Sequence, residues 1–293
     1  MTAFSSAEPR KSLRGGGARG STRPNIGGGL LSLIWIVVVI GVPFYYLFIT
    51  SFKNLGTYFQ TNTLLPSPTP TLDNYATVLR NDILRYFSNS VFVLVGAVLP
   101  MVALSFLAAY GITRSRSRIA TGINTVILLG ISVPSQAIII PVYMLVIKMG
   151  LYDSLWALML VEAALGIPIC FLILANYIRN IPRELFESMH VDGASEWSII
   201  WRLALPLTRP AIMAVAIYEG IRSWNAFMIP LMLTQSSPHR TLPLALVAYQ
   251  QDEFVVNTPA VLAAVVVSSL PLLVLYLFGR KQLVGGLTAG FSK

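Results

Sequence analysis

Long apolar runs alternate along this chain with short polar joints. Six of the runs reach the roughly 20 residues that a helix needs to cross a hydrocarbon core. They cover residues 30–52, 87–112, 122–147, 155–178, 209–233 and 258–279. None alternates with period two, and lipid offers no partner to the backbone groups of an open strand, so the runs read as helices. The first is too long for a signal-peptide core and no small-residue cleavage site follows it, so it reads as a retained span. The pattern predicts an all-α membrane protein with six transmembrane helices.

Composition agrees with that solvent. Apolar residues make up 55% of the chain and charged ones 11%, with mean hydropathy +0.69. A soluble domain carries about 25% charge. The net charge of +9 would point to nucleic acid only if it were clustered on a solvated face. Here it lies in the joints, and its side preference sets the topology. Arg10, Lys11, Arg14, Arg19, Arg23, the arginines of 114–118 and 179–183, Arg202, Arg209, Arg280, Lys281 and Lys293 fall on one side. Only Lys53, Arg80, Arg85, Lys148 and Arg240 fall on the other. Both termini are therefore expected in the cytoplasm. The single cysteine, Cys170, lies inside an apolar run and reads as a small buried hydrophobe.

Outside the six-span domain, 30–283, the ends differ in kind. Residues 1–29, with RGGGARGSTRPNIGGG, have little to bury and read as a disordered basic cytoplasmic tail near an anionic leaflet. Residues 284–293 read as a Gly-rich cytoplasmic tail. The outer loop 53–86 holds LLPSPTPTLDNYATVL, an extended Pro-rich stretch followed by a short helix expected to start after Asp73.

The joint between spans four and five, 179–208, is the most informative. Residues 184–210 read ELFESMHVDGASEWSIIWRLALPLTRP. Pro182 suits the first turn of a helix, with Glu184 and Glu187 near its positive end. Gly193 after Asp192 offers a turn with permissive backbone angles. A second helix is expected from near Ala194, with Trp197, Ile200, Trp201 and Ala204 on one face. Pro206 and Pro210 are expected to close it. The product is a helix–turn–helix elbow with an apolar stripe toward the bundle and a charged tip. From these residues alone, an amphipathic loop lying on the headgroups stays open beside it.

The same residues resemble the cytoplasmic EAA loop of ATP-binding-cassette importer permeases. Glu187 takes the first position of Glu-Ala-Ala, with Ser188 and Met189 in place of the alanines. Asp192, Gly193 and Ala194 follow, and Pro206, Leu207 and Pro210 complete the closing pattern. Along most of the chain the resemblance is to the carbohydrate branch, similar to the smaller permease of the maltose system. NSVFV from Asn89, AAYGITR at 108–114 and IIIPVYMLVIKMGLYDSLW resemble its spans two to four. SWNAFMIPLML resembles span five, with Ala226 where an acidic residue is common, and GGLTAGFSK resembles its terminal tail.

The resemblance implies divided labour. No G-x-x-x-x-G-K-[ST] occurs, so the chain is expected to bind no cofactor, with ATP and Mg on a separate ATPase homodimer. The elbow would dock on that ATPase through Glu184, Glu187, His190, Asp192, Gly193, Ala194 and Pro206. A paralogous second permease would complete the path. An extracytoplasmic sugar-binding protein would deliver the sugar to outer loops 53–86 and 234–257, across a bacterial or archaeal cell membrane. No catalytic, metal or nucleic-acid site is expected.

Polar residues inside spans carry the remaining chemistry, because charge at the bilayer centre costs at least about 2.5–3.5 kcal/mol. Glu219 and Arg222 share a helical face. They line a hydrated sugar path with Tyr218, Trp224 and Asn225, or they form a structural pair; both readings stay open. Pro134 and Pro141 are expected to kink span three, with Gln136 bonding the freed backbone or contacting substrate. Glu162 faces a cavity or the outer interface. His190 and His239 read as isolated, solvated side chains. A secondary transporter would show repeated halves and a midplane ion site. A membrane enzyme would need a convergent nucleophile and base.

Overall fold

The computed structural model describes residues 26–248 and 257–289. The basic tail 1–29 falls almost wholly outside the described residues, as do 249–256 of the loop 234–257 and the terminal residues 290–293. Every described secondary element is helical.

The chain divides into two units, residues 1–45 and 46–293. The first contains most of α1, which runs from Ile26–Ile36 through a π turn at Val37–Gly41 into Val42–Ser51. Its apolar side chains from Leu30 to Ile40 are exposed.

The second unit continues with α2 (Leu55–Gln60), α3 (Asp73–Arg80), α4 (Ile83–Arg114), α5 (Arg118–Leu129) and α6 (Ile139–Lys148). It ends with α7 (Leu155–Arg179), α8 (Arg183–Val191), α9 (Glu196–Trp224), α10 (Met228–Leu233), α11 (Leu242–Ala248) and α12 (Thr258–Ala289). Four described helices are long and apolar enough to cross a membrane: residues Gly28–Ser51, α4, α7 and α9. α12 covers the expected sixth run and continues to Ala289, into the segment read as a tail.

Two expected spans differ in build. Run 122–147 is not one helix: α5 ends in a 3-10 turn at Gly130–Ser132, and α6 begins only at Ile139. Val133, which precedes Pro134, is extended (φ −90°, ψ 115°), the geometry a following proline imposes. Among the described residues Gln136 does not tie up the freed backbone; it accepts from Ser135 Oγ at 3.2 Å. Run 209–233 breaks at Asn225, leaving α10 as a separate short helix.

At its start, α9 absorbs the second elbow helix, so Pro206 and Pro210 do not close it. A π turn at Ile200–Ala204 has the Leu205 N–H on the Ile200 carbonyl, one residue ahead of Pro206. The missing proline N–H thus falls at the seam between two bonding registers, where the wide turn makes room for the ring. α1 repeats the device: the Val42 N–H bonds Val37 O just before Pro43.

The core is built on α4 against α7, with α9 laid across both and α12 behind α9. α4 and α7 seat each other's methionines. A Cβ on Gly96 would lie 2.5 Å from Met159 Sδ, and one on Gly166 would lie 2.5 Å from Met101 Sδ. Cys170 is fully buried in this core, as its setting suggests. Leu84, Leu99, Leu104, Val126, Met144, Leu160 and Leu273 remain exposed on the outer helix faces. Apolar surface on that scale suits hydrocarbon, not water.

The segment 52–75 is folded on itself. Asn74 Nδ2 donates to the carbonyls of Ser51 (2.8 Å) and Lys53 (2.7 Å). The buried Lys53 ammonium donates to Asn62 O at 2.9 Å.

Candidate functional site

The elbow is built from α8, a turn and the start of α9. Pro182 (φ −53°, ψ 134°) caps α8 from outside and is not in its first turn. After Val191 the chain makes a double-bonded helix end: Gly193 N–H bonds His190 O at 3.0 Å and Ala194 N–H bonds Met189 O at 2.9 Å. This closure needs a left-handed residue, and Gly193 has φ +76°. A Cβ there would meet nothing within 4 Å, so only the backbone angle calls for glycine. Ser195 then caps α9, accepting from Ser198 N–H at 3.3 Å.

One residue of α8 plugs the elbow into the bundle. Phe186 is fully buried, with the Arg114 guanidinium 4.0 Å above its ring and the Tyr110 ring 6.3 Å away. Ile199, Ile200 and Ala204 join the same core, whereas Trp197 and Trp201, expected on the packed face, are 61% and 62% exposed.

His190 is not isolated. Its Nδ1 bonds Phe186 O at 2.8 Å and its Nε2 bonds Glu196 Oε1 at 2.9 Å. Tyr110 Oη donates to the other carboxylate oxygen of Glu196 at 2.6 Å. Both ring nitrogens donate only in the imidazolium form. The Phe186 carbonyl, then the Glu196 carboxylate, accordingly raise the His190 pKa above its ordinary value.

Glu184, Glu187 and Asp192 are exposed on the elbow, and Ala194 and Pro206 are half-buried. An open cleft of about 530 Å³ is lined by Met189, Asp192, Gly193, Ala194, Ser195, Ser198 and Arg202. Sequence reasoning missed Tyr110, Arg114, Phe186 and Glu196. The one available signal was Phe186, an aromatic residue within the short helix RELFESMHV.

The second cluster lies within the long helices. Glu219 is fully buried and pairs through Oε2 with Arg222 Nε one turn on. Arg222 Nη2 also donates to the backbone carbonyl of Glu162 on α7 at 3.1 Å. Glu162 is buried, with Ser223, Arg222 and Glu219 as its polar neighbours. Both its carboxylate oxygens, Glu219 Oε1 and Ser223 Oγ have no hydrogen-bond partner among the described residues. Tyr218 and Asn225 are exposed, Asn225 donating back to Ile221 O at 2.8 Å. Trp224 stands apart from them. It is buried edge-on to Phe87 at 5.5 Å and donates to Ser268 O at 3.3 Å.

A third set joins the starts of α4 and α7 to the segment after α10. Asp153 (φ +56°) accepts from the N–H groups of Gln235 (2.8 Å) and Ser236 (3.0 Å). His239, expected to be isolated, lies 3.5 Å from Asp153 and 3.1 Å from Ser236 Oγ.

Residues 101–282 match the family model described as the binding-protein-dependent transport system inner membrane component. The chain belongs to this family. An ABC transporter permease protein of Caldicellulosiruptor sp. is 34% identical, covering 89% of this chain and 94% of that protein. The trehalose/maltose transport system permease protein of Thermococcus litoralis is 29% identical over 90% of this chain and 95% of its own. The diacetylchitobiose uptake permease of Streptomyces coelicolor is 29% identical, with 89% and 86% covered. Among solved structures, a bacterial ABC transporter that imports the acidic polysaccharide alginate superposes with TM-score 0.78. It covers 87% of this chain and 95% of its own at 21% identity, so it speaks for the fold. The family and the apolar helices make this an integral membrane transport component.

Proposed function

We propose that the chain is the transmembrane permease subunit of an ATP-driven, binding-protein-dependent sugar importer. It would form half of the translocation path and carry ATPase closure through the elbow. The observation that carries this reading is the elbow itself: a glycine-closed helical turn, exposed and acidic at its tip, continuous through α9 with the apolar bundle. Its family membership and the sugar systems named among its relatives support the reading.

In this account α1, α4, α5–α6, α7, α9 and α12 are the six spans, with both termini in the cytoplasm as the Lys and Arg distribution requires. The elbow then faces a separate ATPase homodimer, which binds ATP and Mg. Glu184, Glu187, His190, Asp192, Gly193, Ala194 and Pro206 form or support the docking surface. A paralogous permease supplies the other half of the path. An extracytoplasmic sugar-binding protein delivers substrate, in a bacterial or archaeal cell membrane.

Closure of the ATPase pulls the elbows together and rocks two packed bundles between inward- and outward-facing states, a rigid-body switch. Tyr218, Glu219, Arg222, Asn225, Trp224 and Gln136 are the candidate path residues. Of these, Tyr218, Asn225 and the outer part of Arg222 present polar groups at the α9 surface.

Gentle solubilisation with a tag on this chain tests the reading. A second permease and an ATPase should co-purify, with hydrolysis stimulated by sugar-loaded binding protein. A lone chain, under conditions where related complexes survive, would overturn it.

A further inference from the structure

α4 is bonded at both ends to segments that the function places at opposite poles. At its C-terminal end Tyr110 donates to Glu196 of the elbow at 2.6 Å, and Arg114 covers Phe186. At its N-terminal end Asn89 Nδ2 donates to the carbonyls of Pro238 (2.8 Å) and Arg240 (2.9 Å). Ser90 Oγ accepts from Leu242 N–H at 2.8 Å, and Tyr86 and Ser237 hydroxyls share a bond of 2.8 Å. The same segment is clamped to the head of α7 through Asp153.

Asn89 and Tyr110 lie about 32 Å apart along the helix, at 1.5 Å per residue. Between them Pro100 interrupts the hydrogen-bond ladder. Its neighbour Met101, fully buried over Gly166, and Met159 over Gly96 keep both halves of α4 on α7. Close-packed interiors transmit strain.

We infer that α4 is a strut that carries the position of the elbow to residues 234–242, with Tyr110 and Asn89 as positioning residues at its two ends. This rests on the elbow being the ATPase docking point. The segment 234–242 then faces the binding protein, and an event at either pole biases the other, since such coupling is reciprocal.

The test uses the whole complex, both permeases with the ATPase, in proteoliposomes. It reads how far loaded binding protein stimulates ATP hydrolysis. Tyr110→Phe and Asn89→Ala are each expected to lower the stimulation about fivefold or more, the weight of a hydrogen bond or two. Unstimulated hydrolysis and co-purification should stay at the wild-type level. The double variant should be no worse than the worse single, because both cut one linkage. Independent sites this far apart would instead multiply their effects. Multiplied effects, or a wild-type response in both singles, overturn the strut. Where Asn89→Ala lowers the yield of complex, Tyr86→Phe removes a bond at the same end with less disturbance. Gly193→Val separates the two readings. If it leaves stimulation intact, the elbow reading falls and the strut with it; if it abolishes stimulation while the other two act independently, only the strut falls.

Discussion

Arg222 joins two helices: its Nε pairs with Glu219 on α9, and its Nη2 donates to the Glu162 carbonyl on α7 at 3.1 Å. Glu219 is fully buried, so removing the guanidinium strands a carboxylate in the bundle. Breaking a fully buried pair from one side costs about 3–5 kcal/mol; the Arg222 side chain is 35% exposed, so the loss here falls below that range. Arg222→Leu should therefore lower the thermal unfolding midpoint of the detergent-solubilised protein, and adding Glu219→Leu should recover much of the loss. A double variant as unstable as Arg222→Leu alone would show that the stranded charge is not the cause. Recovery of transport on exchanging the two residues would make the pair structural and remove it from the sugar path.

Gly166 and Gly111 offer a contrast in the same bundle. A Cβ on Gly166 meets Met101 Sδ at 2.5 Å and Glu219 Oε2 at 2.9 Å, whereas one on Gly111 meets nothing within 4 Å. Met101 can shift, but Glu219 is held by Arg222. Gly166→Ala should destabilise by about 1–3 kcal/mol. Gly111→Ala, on an exposed helix face, should be neutral or stabilise by up to about 1 kcal/mol. Unfolding of the two variants side by side checks the sign of each.

His190 makes the elbow pH-sensitive. Glu196 from α9, Arg114 and Tyr110 from α4 and the Phe186 carbonyl from its own helix surround it. Its folded pKa is raised, so the added stability is fully present below the ordinary imidazole value of about 6.5. That stability is lost as pH rises through the higher folded value. Hydrogen exchange of the 190–199 amides, corrected for intrinsic rate, should speed up across that window. In His190→Gln the pH step should disappear; a step that persists would assign it to another group.

Much of this was legible in the chain. The apolar runs set the long helices, and Gly193 after Asp192 marked a turn that proves left-handed. Two kinds of feature were not legible. Pro206 reads as a helix stop because a proline removes a donor and crowds the preceding turn, yet a π turn just ahead of it carries α9 through. Such a turn leaves no residue signature. Tertiary partners were equally hidden: Phe186 under Arg114, and Glu196 between Tyr110 and His190, join residues up to 86 positions apart. The stripe drawn through Trp197 and Trp201 assumed a regular helix starting near Ala194. Ile200 and Ala204 of that stripe do pack in the core, and Ile199 joins them while the two tryptophans stay outside.

If the elbow couples hydrolysis to transport, the number of sugar molecules taken up per ATP hydrolysed by the reconstituted complex depends on its geometry. Gly193→Val forces a branched residue into a left-handed turn, at about 1–2 kcal/mol, at a position where a Cβ meets nothing within 4 Å, whereas Gly193→Asn tolerates that angle. Gly193→Val is expected to assemble with the ATPase yet lower the ratio about fivefold or more, while Gly193→Asn stays near wild type. A Gly193→Val complex importing sugar at the wild-type ratio would contradict coupling through the elbow.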